Sequence, residues 1–155
     1  DFVQPERFDL TYVNEQGEKS RPVTIHRAIA GSTERLMMIL LEHFAGAMPN
    51  WLSPVQVAII PIGEKHNEYA QKVSKLLKEN KIRAVLDDKN ETMQNKIREA
   101  QMQKIPYMLI IGDREVENGE SSVRLRTGEN KGALKIDEII GKIKQIELTK
   151  GVDLW

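Results

Sequence analysis

The 155-residue chain contains no cysteine. Disulfides, thiolate metal ligands and cysteine nucleophiles are excluded, which narrows the chemistry more than it fixes the compartment. No window approaches the ~18 unbroken apolar residues of a membrane-spanning helix, and the acidic, proline-containing start is unlike a signal peptide. A cytoplasmic location is the default expectation. An excess of either charge is lacking too, since 23 Lys and Arg balance 23 Asp and Glu. Any polyanionic partner must then be held by local patches and not by a global field, which disfavours nonspecific coating of nucleic acid. No phosphate-cradling glycine loop or dinucleotide fingerprint follows a strand, and no nucleophile stands beside an evident base. These absences weigh against a self-contained nucleotide enzyme. The chain opens on Asp1-Phe2-Val3 without an initiator methionine, which suggests a piece of something longer.

What is present is ordinary for a globular protein, 40% apolar and 30% charged residues, enough to bury a core. Phe8 to Val13 alternates apolar and polar as a half-buried strand should, Asn14 to Glu18 reads as a hairpin loop, and Arg21 to Ile25 as the returning strand. From Ser32 to His43 an apolar stripe through Leu36, Ile39, Leu40 and Phe44, widened by Met37, Met38 and Leu41, predicts a helix buried on most sides. Gly46 and Pro49 close it in the expected order. A domain boundary is expected near residues 47 to 54, giving domains of residues 1–50 and 51–155. Beyond it, strands at 55–60, 82–86 and 107–111 alternate with helical patterns at 69–80 and 92–100. That order predicts an α/β fold with a mixed, mostly parallel sheet flanked by helices. Glu115-Val116 and Ser121 to Leu125, joined by Asn118-Gly119, read as an added hairpin at the sheet edge. Ile136, Ile139, Ile140, Ile143 and Ile146 mark a last amphipathic helix.

The stretch His26-Arg27-Ala28-Ile29-Ala30-Gly31-Ser32-Thr33-Glu34-Arg35 delivers an arginine into the first turn of the apolar helix. A guanidinium is always charged and forks onto phosphate oxygens, so Arg35 is the candidate phosphate-binding and catalytic residue. Taken alone, an arginine at a helix start is more often a surface residue, and the helix dipole does not favour a cation there. Gly31 permits close backbone approach and Ser32 can donate to a ligand, although an N-cap role suits Ser32 equally. One histidine, His26, cannot by itself make a zinc site, which wants three or four protein ligands. His43 and His66 have no partner that suggests catalysis.

This string resembles the third signature motif of the class II aminoacyl-tRNA synthetases. With Pro5-Glu6-Arg7-Phe8-Asp9-Leu10 before it and Trp51-Leu52-Ser53-Pro54-Val55-Gln56-Val57 after it, it is specifically similar to the threonyl-tRNA synthetase family. The resemblance implies that residues 1–50 are the end of a catalytic domain and residues 51–155 an anticodon-binding domain. It implies a homodimeric parent that activates threonine with ATP and Mg and transfers it to tRNA. Arg35 would meet the ATP phosphates with Gly31 and Ser32 beside it. His26 would be a latent zinc ligand whose partners lie outside this chain, zinc serving to distinguish threonine from isosteric valine. No metal or cofactor is expected on this chain alone, and without the remaining class II motifs it is expected to be inactive.

For the second half the resemblance is to the anticodon-binding domain shared by threonyl-, prolyl-, histidyl- and glycyl-tRNA synthetases. It is tightest at Lys96-Ile97-Arg98-Glu99, at Pro106 to Asp113 and at Glu115 to Arg126. Splayed anticodon bases are read along their hydrogen-bonding edges, which calls for a carboxylate and an arginine on an exposed sheet edge. Glu115 and Arg124 are expected to face each other across the hairpin, and the resemblance implies that they read guanine and uracil at the middle and third positions. Asn90, in the turn before a helix, matches a further family contact. A cross-strand salt pair and a plain turn residue are the simpler readings of these positions. Lys96, Arg98, Lys104 and Arg126 would form a basic rim for the tRNA backbone. Asp87-Asp88-Lys89 and Thr127 depart from the more basic family pattern and bear on phosphate contacts more than on base reading. The competing assignments are a noncatalytic RNA-binding module on the same fold and a prolyl-type synthetase. His26 favours threonine over proline, and the catalytic-core pattern at residues 8–46 disfavours a pure binding module.

Overall fold

The computed structural model describes residues 1–155, which form two compact units, Asp1–Met38 and Ile39–Trp155. In the first unit, helix α1 (Val3–Arg7) begins where the Asp1 carboxylate accepts from the backbone N–H of Val3 and Gln4. Two orphan donors of the helix start are thereby satisfied. Strands β1 (Tyr12–Val13) and β2 (Lys19–Ser20) pair antiparallel. Their loop is held by Asn14, whose Oδ1 accepts from the N–H groups of Gln16 and Glu18. β1 is shorter than the alternation over residues 8–13 predicts, and the expected strand at 21–25 does not form, β2 lying before it at Lys19–Ser20. Residues 8 to 10 fold back onto α1, with Leu10 N–H donating to Pro5 O, and the Arg21 guanidinium clasps Pro5 O and Asp9. Alternation reports only a side-chain period; these local bonds claimed the backbone first.

Helix α2 (Thr33–His43) buries no residue. The expectation of a helix buried on most sides is corrected: Met37, Met38 and Ile39 are each more than half exposed. The apolar stripe exists, but it is only partly covered, Leu40 and Phe44 being half-buried. Beyond α2 the backbone takes left-handed conformations at Ala45 and Gly46, and Gly46 N–H bonds back to Leu41 O, closing the helix as the Gly and Pro signals require.

The second unit is built on five strands in the order β4-β3-β5-β6-β7: β3 (Val57–Pro61), β4 (Ala84–Leu86), β5 (Tyr107–Ile111), β6 (Glu120–Leu125) and β7 (Asn130–Lys135). β4, β3 and β5 run parallel, and β5, β6 and β7 antiparallel, so the sheet is mixed. Helices α3 (Asn67–Glu79) and α4 (Met93–Met102) make the parallel crossovers. α5 (Asp113–Asn118) follows β5, and α6 (Ile136–Thr149) follows β7.

Continuous apolar runs in β3 and β5 reflect burial on both faces. One face packs Val57, Ile59, Tyr107, Leu109 and Val123 with Val73 and Leu77 of α3 and Ile139 and Ile143 of α6. The other packs Ala58, Ile60 and Met108 with Ile97 and Ala100 of α4. β6 instead alternates, with Ser121, Val123 and Leu125 buried and Glu120, Ser122 and Arg124 half-exposed.

The expected edge hairpin is corrected. Residues 113–118 are helical, and Asn118-Gly119 ends that helix, Gly119 adopting φ +69° as its C-cap. The hairpin is β6–β7, turning at Arg126 to Glu129, with Leu125 N–H donating to Glu129 O. An Asn-Gly pair suits a hairpin turn and a left-handed helix cap alike. Capping decided here, because Glu115 Oε2 accepts from Gly112 N–H and closes the first turn. β7 carries Asn, Lys and Gly, poor strand formers, and its sequence gave no strand signal.

Candidate nucleic-acid interface

In an open α/β sheet, ligands bind beyond the carboxyl ends of the parallel strands, where successive crossovers leave in opposite directions. Here β3 leads to β4 on one side and β4 returns past it to β5, so that point lies at the ends of β3 and β5. Two segments meet there, residues 61–66 and 111–115. Ile62 N–H donates to Ile111 O, and His66 Nε2 lies 3.0 Å from Asp113 Oδ1. Lys65 Nζ sits 2.5 Å from the same oxygen. Lys65 foremost, then His66, holds the Asp113 carboxyl below its ordinary value of 3.8.

Glu115 projects from the first turn of α5 at this end of the sheet. Oε2 is engaged by Gly112 N–H at 3.0 Å, and Oε1 is free to accept. A Cβ at Gly112 would meet Ile62 Cδ1 at 2.9 Å and Glu115 Oε2 at 3.1 Å, so a side chain there would displace the tip of Ile62 or the Glu115 carboxylate.

Arg124 and Glu115 do not face each other across a hairpin, contrary to expectation. Arg124 pairs with Met108 on one side and Asn130 on the other. Measured along β5, Met108 is four residues from the Gly112 that anchors Glu115, about 14 Å at the rise of an extended strand. The carboxylate and the guanidinium therefore occupy two stations along the sheet. Arg124 Nε is buried without a hydrogen-bond partner, and buried donors are almost always paired. The side chain is thus not consumed in a structural salt pair.

Asn90 is exposed in the turn between β4 and α4, just before Thr92, whose Oγ1 caps α4 by accepting from Asn95 N–H. The four cations expected on a basic rim separate. Lys96 is buried, its Nζ donating to Pro61 O and Asp87 O at the ends of β3 and β4. Arg126 donates to Ala47 O, Met48 O and Lys104 O, and Lys104 Nζ to Ala45 O. Arg98 and Lys104 are both exposed without an ion pair, and of the two only Arg98 makes no side-chain hydrogen bond. Thus Lys96 is not on an exposed rim, and Arg126 and Lys104 hold the segment entering the domain. Periodicity cannot tell a solvated lysine from one whose ammonium replaces water with two carbonyls.

In the first unit, Ser32 accepts at Oγ from Arg35 N–H, acting as an N-cap, and Gly31 takes φ +64°. Arg35 is exposed. His26 Nε2 pairs with Asp1 Oδ2 at 2.8 Å. A single imidazole does not suffice for zinc, and no group of three or more His, Cys, Asp or Glu side chains in the structure could hold a metal ion. No helix is long and apolar enough to cross a membrane. Sequence reasoning missed the His66–Asp113 contact. Its only trace is a histidine and an aspartate placed shortly after two central strands.

The parallel crossovers and the mixed sheet define an α/β domain with two polar stations along its sheet. The model of the anticodon binding domain matches residues 56–146, and the chain belongs to that family. Over 98% of its length it is 56% identical to the threonine–tRNA ligase of Caldanaerobacter subterraneus subsp. tengcongensis and 55% identical to that of a Sulfurihydrogenibium species, and it spans 24% of the length of each. Among solved structures, the RNA binding domain of threonyl-tRNA synthetase from Cryptosporidium parvum Iowa II superposes with a TM-score of 0.79 at 40% identity, over 94% of this chain and 37% of that one. Histidyl-tRNA synthetase from Nostoc sp. PCC 7120, at 22% identity and a TM-score of 0.56 over 59% of this chain and 22% of that one, shares the fold.

Proposed function

We propose that the chain is the anticodon-reading part of a threonine–tRNA ligase, residues 51–155 binding the tRNA loop and residues 1–50 contributing to a catalytic domain completed elsewhere. The observation that supports this most directly is the presence, at two stations along one sheet, of a half-exposed Arg124 whose Nε has no hydrogen-bond partner and of a half-engaged Glu115 carboxylate. A carboxylate oxygen accepts from a base amino or imino group, and a guanidinium donates to base acceptors. In this reading Glu115 meets guanine and Arg124 uracil, one base at each station, with Asn90 contacting the loop and Arg98 a phosphate. The separation along the sheet favours two neighbouring bases over one base gripped from both sides.

For the longer protein we infer threonine activation with ATP and Mg, cytoplasmic location and a homodimer. Arg35 would face the ATP phosphates, with Gly31 allowing backbone approach and Ser32 dividing its role between cap and ligand. His26 would supply one zinc donor among others from outside this chain. Amino-acid-dependent pyrophosphate exchange by the 155 residues alone is expected to be absent.

The test is a titration of the chain with anticodon-stem-loop hairpins differing in single triplet bases. Arg124→Ala should lose roughly tenfold of its preference for uracil, the scale of one specific base contact. An unchanged base preference would sink the assignment.

A further inference from the structure

Glu115 can read a base only if the start of α5 is held still, because this helix is six residues long and buries none of them. It rests on β5 and β6, and a further restraint comes from the opposite loop, through Lys65 and His66 on Asp113. His66 is buried, its imidazole almost wholly out of solvent. Nδ1 accepts from Gly63 N–H at 3.1 Å, so that nitrogen carries no proton, and the N–H must be on Nε2. That N–H points at Asp113 Oδ1, 3.0 Å away. The tautomer is thus set by the backbone, and the histidine is a one-directional strut from the β3–α3 loop to the first residue of α5. Two residues on, Glu115 Oε2 is tied to Gly112 N–H, and Ile62 fills the space a side chain at position 112 would need.

We propose that His66, acting through Asp113, is a positioning residue for Glu115. It fixes the attitude of α5 so that Glu115 Oε1 faces the nucleotide, and it thereby sets selectivity at one anticodon base. Arg124 lies on β6, secured by ladders on both sides, and does not depend on this strut. The inference rests on the reading of Glu115 as a base-contacting group.

The experiment titrates the 155-residue chain with an anticodon-stem-loop RNA carrying guanine and uracil at the second and third triplet positions, and with variants bearing adenine for guanine or cytosine for uracil. Glu115→Gln establishes the reading. His66→Ala should reduce guanine-over-adenine preference roughly three- to tenfold, a fraction of a full base contact, while uracil-over-cytosine preference stays as it was. His66→Gln, which keeps a donor to Asp113 and an acceptor for Gly63, should restore it. Asp113→Ala, at an exposed position, should reproduce the loss should His66→Ala fail to fold. Loss of guanine preference in Glu115→Gln but not in His66→Ala or Asp113→Ala would overturn the positioning role and leave the reading standing. Equal loss at both bases would show a general structural effect and overturn it as well. No change in Glu115→Gln would remove the reading, and the inference with it.

Discussion

The guanidinium of Arg126 reaches from the β6–β7 turn to Met48, donating to its carbonyl at 2.7 Å, and spans 78 residues of sequence to do so. With Arg83, which donates to the carbonyls of Ser53 and Trp51, it fastens the segment that leads into the sheet. Arginine suits the task because its planar fork serves several carbonyls from one rigid group.

The first prediction follows from that contact. Arg126→Ala should lower unfolding stability by about 2 kcal/mol, the scale of hydrogen bonds from a charged donor. The slope of RNA affinity against salt should not change. Chemical denaturation and a salt titration check the two halves separately, and a reduced salt slope at full stability would return Arg126 to the RNA surface.

Lys96 and Arg98 make a matched pair two residues apart on α4. Lys96→Met keeps the aliphatic stem but leaves Pro61 O and Asp87 O unpaired, and should destabilise the domain by about 1–3 kcal/mol. Arg98→Ala should leave stability within about 0.5 kcal/mol and flatten the salt dependence by about one counterion. Interchanged results would place the ammonium of Lys96 on RNA.

Tyr107 gives a pH prediction. Its hydroxyl donates to Leu154 O at 2.7 Å inside the core, and burial pushes its pKa far above the ordinary 10.0, against a smaller opposing effect of Arg126. Folded pKa exceeds unfolded pKa, so this stability is fully present below pH 10 and falls as pH rises beyond it. Tyr107→Phe should remove that alkaline component while costing about 1 kcal/mol at neutral pH. Phenolate absorbance during alkaline titration checks it: a Tyr107 that ionises near pH 10 without unfolding would contradict the burial argument.

Gly119 ends α5 at φ +69° with open space around it. Gly119→Ala should cost about 1 kcal/mol from backbone strain alone. A position in a two-residue hairpin loop would also strain, but amide exchange separates the cases. Protection should fall at the end of α5 and not along the β6–β7 ladder.

Much of this protein was legible in residue order. The buried runs of β3 and β5, the stripes of α3, α4 and α6, and the close of α2 all follow from local periodicity and from glycine and proline chemistry, which need no distant partner. The string around Gly31-Ser32 and Arg35, and the positions of Glu115 and Arg124, carried a resemblance that the comparisons extend over 98% of the chain. Only tertiary structure decided what depends on distant groups. Asn118-Gly119 caps a helix because Glu115 closes that helix's first turn. Lys96 and Arg126 turn inward because carbonyls 35 and 79 residues away in sequence await their protons, and most of the α2 stripe stays exposed because an apolar stripe is buried only where another surface meets it. Sequence specifies which side chains share a face; the fold determines what stands opposite that face, and charge, burial and function are settled there.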